Sequence, residues 1–124
     1  TMINLMKNNN SVKVVNDQIG SPTYANDLAK VIIEIIMNSK NKSGLFHYSN
    51  EGEISWYEFA RSIRELYNLD CEIIGVSSKE FKTIAKRPKY TLLDKTKIKK
   101  TFNLEIPFYK QSLEDCIKII KNET

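Results

Sequence analysis

Val12-Lys13-Val14-Val15-Asn16-Asp17-Gln18-Ile19-Gly20-Ser21-Pro22-Thr23-Tyr24 is the stretch whose reading decides the fold. Three β-branched residues among its first four predict a short strand. The polar segment that follows is a turn, bent by Gly20 and Pro22. Beyond it, Leu28, Val31, Ile32, Ile35 and Ile36 recur at i, i+3, i+4, i+7 and i+8. That spacing puts one apolar stripe on a helix from about Tyr24 to Asn38. A lysine- and asparagine-rich loop, Ser39 to Ser43, ends the helix, and Gly44-Leu45-Phe46-His47-Tyr48-Ser49 predicts a second strand. Strand, helix and strand of this size form one βαβ unit, with parallel strands and a right-handed crossover.

Outward from this unit, the pattern stays α/β. Ser55-Trp56-Tyr57-Glu58 is a capping box opening a helix to about Asn68, with Trp56, Phe59, Ala60, Ile63, Leu66 and Tyr67 on one face. Trp56 and Tyr57 are assigned to packing. Glu72 to Val76 predicts a third strand. Ser77-Ser78-Lys79-Glu80 repeats the capping signal and predicts a short helix ending near Ile84. Pro88 imposes an extended segment through Leu93. Asp94 caps a short helix from Lys95 to Thr101, and Leu113, Cys116, Ile117 and Ile120 mark a last helix from about Tyr109 to Lys121. The opening, Thr1 to Lys7, lacks the cationic start and long apolar stretch of a signal peptide. It reads either as the tail of a helix whose beginning is missing or as a frayed terminus.

The 124 residues, 41% hydrophobic and 27% charged, suit a single domain over residues 1–124 and exclude a disordered or disulfide-dense chain. Val31 to Met37, the longest apolar run, is broken by Glu34 and far too short to span a bilayer. Two cysteines, Cys71 and Cys116, exclude a four-cysteine metal site and suit packing in a reduced, cytoplasmic setting. His47, the single histidine, cannot build a metal site alone and reads as a packed or hydrogen-bonded structural residue. The four glycines, at 20, 44, 52 and 75, are too scattered for a dinucleotide or Walker loop.

The net charge of +4 is unevenly spread. Residues 79–100 carry nine basic and two acidic side chains, a local +7 against −3 for the remainder. Such a stretch is either a solvated lysine-rich face or an attractor of phosphates. Arg87 is its one planar fork, suited to a diphosphate. Nucleic acid is the weaker candidate, because only Phe81 and Tyr90 interleave the charges.

Four motifs, in order, carry a resemblance. Val14 to Tyr24 running into Asp27-Leu28-Ala29, Gly44 to Asn50, Ser55 to Ala60, and Ala85-Lys86-Arg87-Pro88-Lys89-Tyr90 closely resemble segments of the dTDP-4-dehydrorhamnose reductases. Leu93-Asp94 and the closing helix match as well, so the resemblance spans about Val12 to Ile120. Thr91 stands where that family suggests serine, and the hydroxyl is kept. The resemblance implies the C-terminal, substrate-binding part of an extended short-chain dehydrogenase fold. It also implies an N-terminal Rossmann half, absent here, that joins in cis or in trans and binds NADPH or NADH. No catalytic residue is expected in this chain. Its nearest approach to the family's Tyr-x3-Lys pair is Tyr57 with Arg61.

Carried over by position, Gln18, Ser21, Thr23 and Tyr24 on the turn and Lys86 and Arg87 on the basic segment become the candidate contacts to a dTDP-sugar. Gln18, Ser21 and Thr23 serve equally well as turn-shaping and capping residues, and Tyr24 as a core residue. The alternative function is a non-catalytic regulatory or binding module related to the reductase.

Overall fold

The computed structural model describes residues 1–38, 42–81 and 83–122. The chain opens with helix α1 (Met2–Asn8) and strand β1 (Ser11–Val15). A two-residue strand, β2 (Ile19–Gly20), precedes α2 (Ala25–Asn38). After β3 (Ile54–Ser55) come α3 (Trp56–Tyr67) and β4 (Glu72–Val76), and the chain closes with α4 (Thr96–Phe102) and α5 (Tyr109–Asn122). The result is α/β, as expected, built among the described residues on one short parallel strand pair with five helices around it.

The parallel pair forms with a different partner. β1 pairs with β4, Ser11 opposite Glu72 through Val15 opposite Val76. Residues 44–49 do not pair at all among the described residues. Each strand of a pair needs a neighbour's amides and carbonyls, and the sequence of 44–49 could not show that β4 would occupy that side of β1. The crossover helix covering the pair is α3, whose Ala60 joins Met6, Val14, Cys71 and Ile73 in one buried cluster.

Two more apolar clusters complete the core. Val31 of α2 meets Ile98, Phe102, Leu104 and Ile106 from α4 and the segment after it, with Ile35, Phe46 and Tyr48 packed alongside. Ile63 of α3 meets Leu113 and Ile117 of α5. The apolar stripe on α2 is therefore only half covered: Val31 is buried, while Ile32 and Ile36 are exposed.

The capping box at Ser55 forms as expected. The Ser55 hydroxyl accepts from the Glu58 amide at 3.1 Å, and the Glu58 carboxylate accepts from the Ser55 amide at 2.9 Å. The equivalent signal at Ser77 makes its local bonds, Ser77 Oγ donating to Glu80 Oε1 at 2.6 Å, but yields only a turn at 78–80. Phe81 and Ile84 are solvent-facing, so a helix there would have no apolar face to bury. Lys82, and residues 39–41 of the predicted loop, lie outside the described residues. His47 is exposed rather than packed, because Phe46 and Tyr48 take the inward positions of the alternation. Trp56 is 44% exposed, only half a packing residue. No helix among the described residues is long and apolar enough to cross a membrane.

Candidate functional site

Because β1 and β4 run in parallel, the loops leaving their carboxyl ends emerge side by side. That edge is where open α/β sheets hold ligands. Here the two loops are stitched together across some sixty residues of sequence. Asp17 Oδ1 accepts from the Ser78 amide at 2.9 Å and from the Ser78 hydroxyl at 2.5 Å, and Gln18 Nε2 donates to Ser78 Oγ at 3.1 Å. The Ser78 hydrogen bond holds the Asp17 carboxyl below its ordinary range, and the charge of Lys89 adds to the effect.

A third segment is clipped onto β2. The Ile19 amide donates to the Lys89 carbonyl at 2.8 Å, and the Thr91 amide returns a bond to the Ile19 carbonyl at 2.9 Å. Thr91 Oγ1 donates to the same carbonyl at 3.0 Å. This approach needs Gly20, where an added Cβ would sit 2.8 Å from Thr91 Oγ1.

The three segments enclose a cleft of about 550 Å³, within the range of small-molecule sites. Asp17, Gln18 and Ser78 form one side, and Lys79, Lys86, Arg87 and Lys89 supply the charge. Among the described residues four cations line it against one carboxylate, a net positive setting, and that carboxylate is already engaged by Ser78. Among the described residues its polar lining is one amide, one carboxylate, two hydroxyls, three ammonium groups and one guanidinium, groups that hydrogen-bond and pair with an anionic ligand.

The structure thus brings Gln18, Lys86 and Arg87 together and sets Ser21, Thr23 and Tyr24 apart. Ser21 Oγ donates to the Asn50 carbonyl, and the Tyr24 amide donates to Asn50 Oδ1 at 2.8 Å. Thr23 and Tyr24 border a smaller, mostly apolar cavity of about 100 Å³, with Asn50, Phe59, Tyr109 and Cys116. Asn50 is the hub of this second region. Fully buried, it also donates to Asp27 Oδ2 at 2.7 Å and Ser112 Oγ at 2.9 Å, while its carbonyl takes Lys95 Nζ at 3.0 Å.

The basic stretch 79–100 divides accordingly. Lys79, Lys86, Arg87 and Lys89 face the cleft. Lys95 and Lys99 instead pair with Glu51 at 2.9 and 2.8 Å, and Lys97 Nζ lies 4.8 Å from the Phe46 ring centre. Sequence reasoning passed over Asp17, Ser78 and Asn50 as site-forming residues. Each lay in a quoted motif, but nothing local distinguishes a turn residue from one bonded to a segment sixty positions away.

The Gly-rich pyrophosphate loop of a dinucleotide site has no counterpart after β1. The turn after β1 has a single glycine, Gly20 of β2, and it is packed against Thr91 rather than open to a pyrophosphate. Among the described residues no group of three or more His, Cys, Asp or Glu side chains is placed to hold a metal ion.

Comparison with known proteins follows the same lines. The family described as RmlD substrate binding domain matches residues 1–122. The dTDP-4-dehydrorhamnose reductase of Aggregatibacter actinomycetemcomitans is 35% identical over 126 residues, covering 93% of this chain and 42% of that protein. The crystal structure of a dTDP-4-dehydrorhamnose reductase from Clostridium acetobutylicum superposes with a TM-score of 0.90 at 38% identity, over 97% of this chain and 42% of that one. The reductase of Bacillus anthracis, solved in complex with NADP, gives a TM-score of 0.86 at 38% identity over 92% and 40%. The chain spans about two fifths of the length of each of these relatives.

Proposed function

Because the chain belongs to the RmlD substrate binding domain family, we propose that residues 1–124 form the unit of a dTDP-4-dehydrorhamnose reductase that holds the nucleotide sugar, without catalysing the reduction alone. The cleft carries this reading: Arg87, backed by Lys86, Lys79 and Lys89, offers a diphosphate a bidentate fork in a cationic setting. Gln18 supplies an amide at the same edge. Thr23 and Tyr24 serve only a part of the ligand that reaches the smaller cavity. The Ser21 hydroxyl donates to the Asn50 carbonyl, which shapes the turn and leaves its oxygen to serve the ligand as an acceptor.

Reduction of the C4 ketone of dTDP-4-dehydro-L-rhamnose, with NADPH or NADH, belongs on this reading to the assembled enzyme. The remaining, cofactor-binding half joins in cis or in trans. Fixing the sugar in near-attack geometry is a large share of such catalysis, about 7–11 kcal/mol of barrier in well-oriented systems. A cytoplasmic setting goes with this reading and with Cys71 and Cys116 as free thiols.

Titration of dTDP into the purified chain, followed by NMR, tests the proposal. Shifts clustered at Gln18, Arg87 and Lys89, and weakened binding in Arg87→Ala, are expected. Shifts remote from all three would remove the site. Oxidation of NADPH by this chain alone with the keto sugar nucleotide would remove the division of labour.

A further inference from the structure

Gln18 meets the cleft with one side of its amide already committed. Its Nε2 donates to Ser78 Oγ at 3.1 Å, and the Ser78 hydroxyl gives its single proton to Asp17 Oδ1 at 2.5 Å. The Ser78 backbone amide donates to the same oxygen at 2.9 Å. Those bonds from Ser78, with the charge of Lys89, hold the Asp17 carboxyl below its ordinary range, so it is ionised and can only accept. The order of donors along the chain follows from this. Ser78 must spend its proton on Asp17, and its oxygen has only lone pairs left for Gln18. The reversed amide, with Oε1 toward Ser78, would set two acceptors against each other. Oε1 therefore sits on the prong away from Ser78, and it accepts no hydrogen bond among the described residues.

We propose that Ser78 is a positioning residue and Gln18 a specificity-determining one: the chain Asp17–Ser78–Gln18 holds Gln18 Oε1 ready to accept from an N–H or O–H group of the ligand, beside its diphosphate. This rests on the reading of the cleft as the nucleotide-sugar site. The charges around Gln18 say what that oxygen is for. Lys79, Lys86, Arg87 and Lys89 line the same cleft, and each is a donor with no capacity to accept. They suit phosphate oxygens. A carbonyl oxygen among them cannot serve a phosphate, since both would be acceptors, and it suits the part of the ligand that donates. In a dTDP-sugar that donor is the thymine imide or a sugar hydroxyl. A site built to pair such a group discriminates against an analogue without it, because its own acceptor is then left unpaired.

Calorimetric titration of the chain with dTDP-L-rhamnose, dTDP, N3-methyl-dTDP and inorganic pyrophosphate is the test. Gln18→Met keeps the length of the side chain and neither polar atom. It should lower the affinity for dTDP-L-rhamnose, relative to pyrophosphate, about fivefold or more, the worth of one hydrogen bond. Ser78→Ala frees the amide to turn and should lower the same ratio about twofold or more, as expected when the competent orientation is populated half the time. Ser78→Thr keeps the hydroxyl and should restore the parent ratio. In the parent chain, NMR should show a nuclear Overhauser contact between the Gln18 side-chain amide protons and the Ser78 β protons. Its absence overturns the assignment without recourse to any variant. Weaker binding of N3-methyl-dTDP than of dTDP by the parent, with the two equal in Gln18→Met, identifies the donor as the imide. Equal binding of the two by the parent, with the loss in Gln18→Met retained, identifies it as a sugar hydroxyl. A merely structural staple between the loops would weaken every ligand alike, and unchanged ratios in Gln18→Met overturn this assignment while leaving the cleft standing. A parent chain that binds none of the ligands removes the cleft and this assignment together.

Discussion

The side-chain nitrogen of Asn50 lies 2.7 Å from the carboxylate of Asp27, and neither residue is more than a tenth exposed. Ser112 Oγ donates to the same carboxylate oxygen at 2.5 Å, which ties α5 to the first turn of α2. The buried Asp27 carboxyl is therefore held by neutral donors, and Asn50 supplies one of them while also fixing the Tyr24 amide.

Asn50→Ala removes the amide and leaves the Tyr24 N–H without its Asn50 acceptor and the Asp27 carboxylate one donor short. A loss of about 2–4 kcal/mol of unfolding free energy is expected from stranding buried polar groups of this kind. Urea denaturation of the two chains measures it. A loss below about 0.5 kcal/mol would mean that the network does not act as a unit.

Arg87→Ala should weaken dTDP binding about tenfold or more, the worth of a charge-assisted pair of hydrogen bonds. Arg87→Lys should recover only part of this, because an ammonium lacks the planar fork. Calorimetric titration at two salt concentrations reads both effects. Equal affinity in all three chains would take Arg87 out of the site.

Tyr48 sets an alkaline limit. Burial, with Asp27 and Glu51 nearby, pushes its phenol up to about 12. A group raised in the folded state contributes stability that is complete below the unfolded value, near 10. That contribution is lost as pH climbs toward 12. Tyr48→Phe should remove this loss. At neutral pH it should cost less than about 1 kcal/mol or stabilise, since it deletes a hydroxyl that has no partner among the described residues. Thermal melts at pH 7 and 10.5 separate the two effects.

Ser55→Ala should cost about 1 kcal/mol by removing the cap of α3. The Ser55 amide and hydroxyl hold the Glu58 carboxyl below its ordinary range. Glu58 therefore contributes stability above the unfolded glutamate value, near 4.3, and loses it as pH falls through the lower folded value. The difference between parent and Ser55→Ala should narrow on acidification from pH 6 to pH 3. A constant difference would place the cap energy in the hydroxyl alone.

Local chemistry was legible where a residue's neighbours in sequence are also its neighbours in space. The helices α2, α3 and α5, the box at Ser55 and the strands β1 and β4 answer to periodicity and to contacts three or four positions apart. The box at Ser77 shows the limit of such signals. Its hydrogen bonds form, yet no helix follows, because Phe81 and Ile84 have nothing to pack against.

What the sequence by itself determined was the α/β class, the position of the basic segment and the motifs that mark the family, all properties of short windows. The pairing of β1 with β4 rather than with residues 44–49 was decided in three dimensions, as was the division of the candidate contacts. Gln18, Lys86 and Arg87 share a cleft because Ser78 holds Asp17 and Ile19 holds Lys89, bonds spanning 61 and 70 positions. Ser21 and Tyr24, three and six residues beyond Gln18, are drawn to Asn50 instead. A hydrogen bond depends on where two groups lie in space, and over such separations only the packed chain sets that.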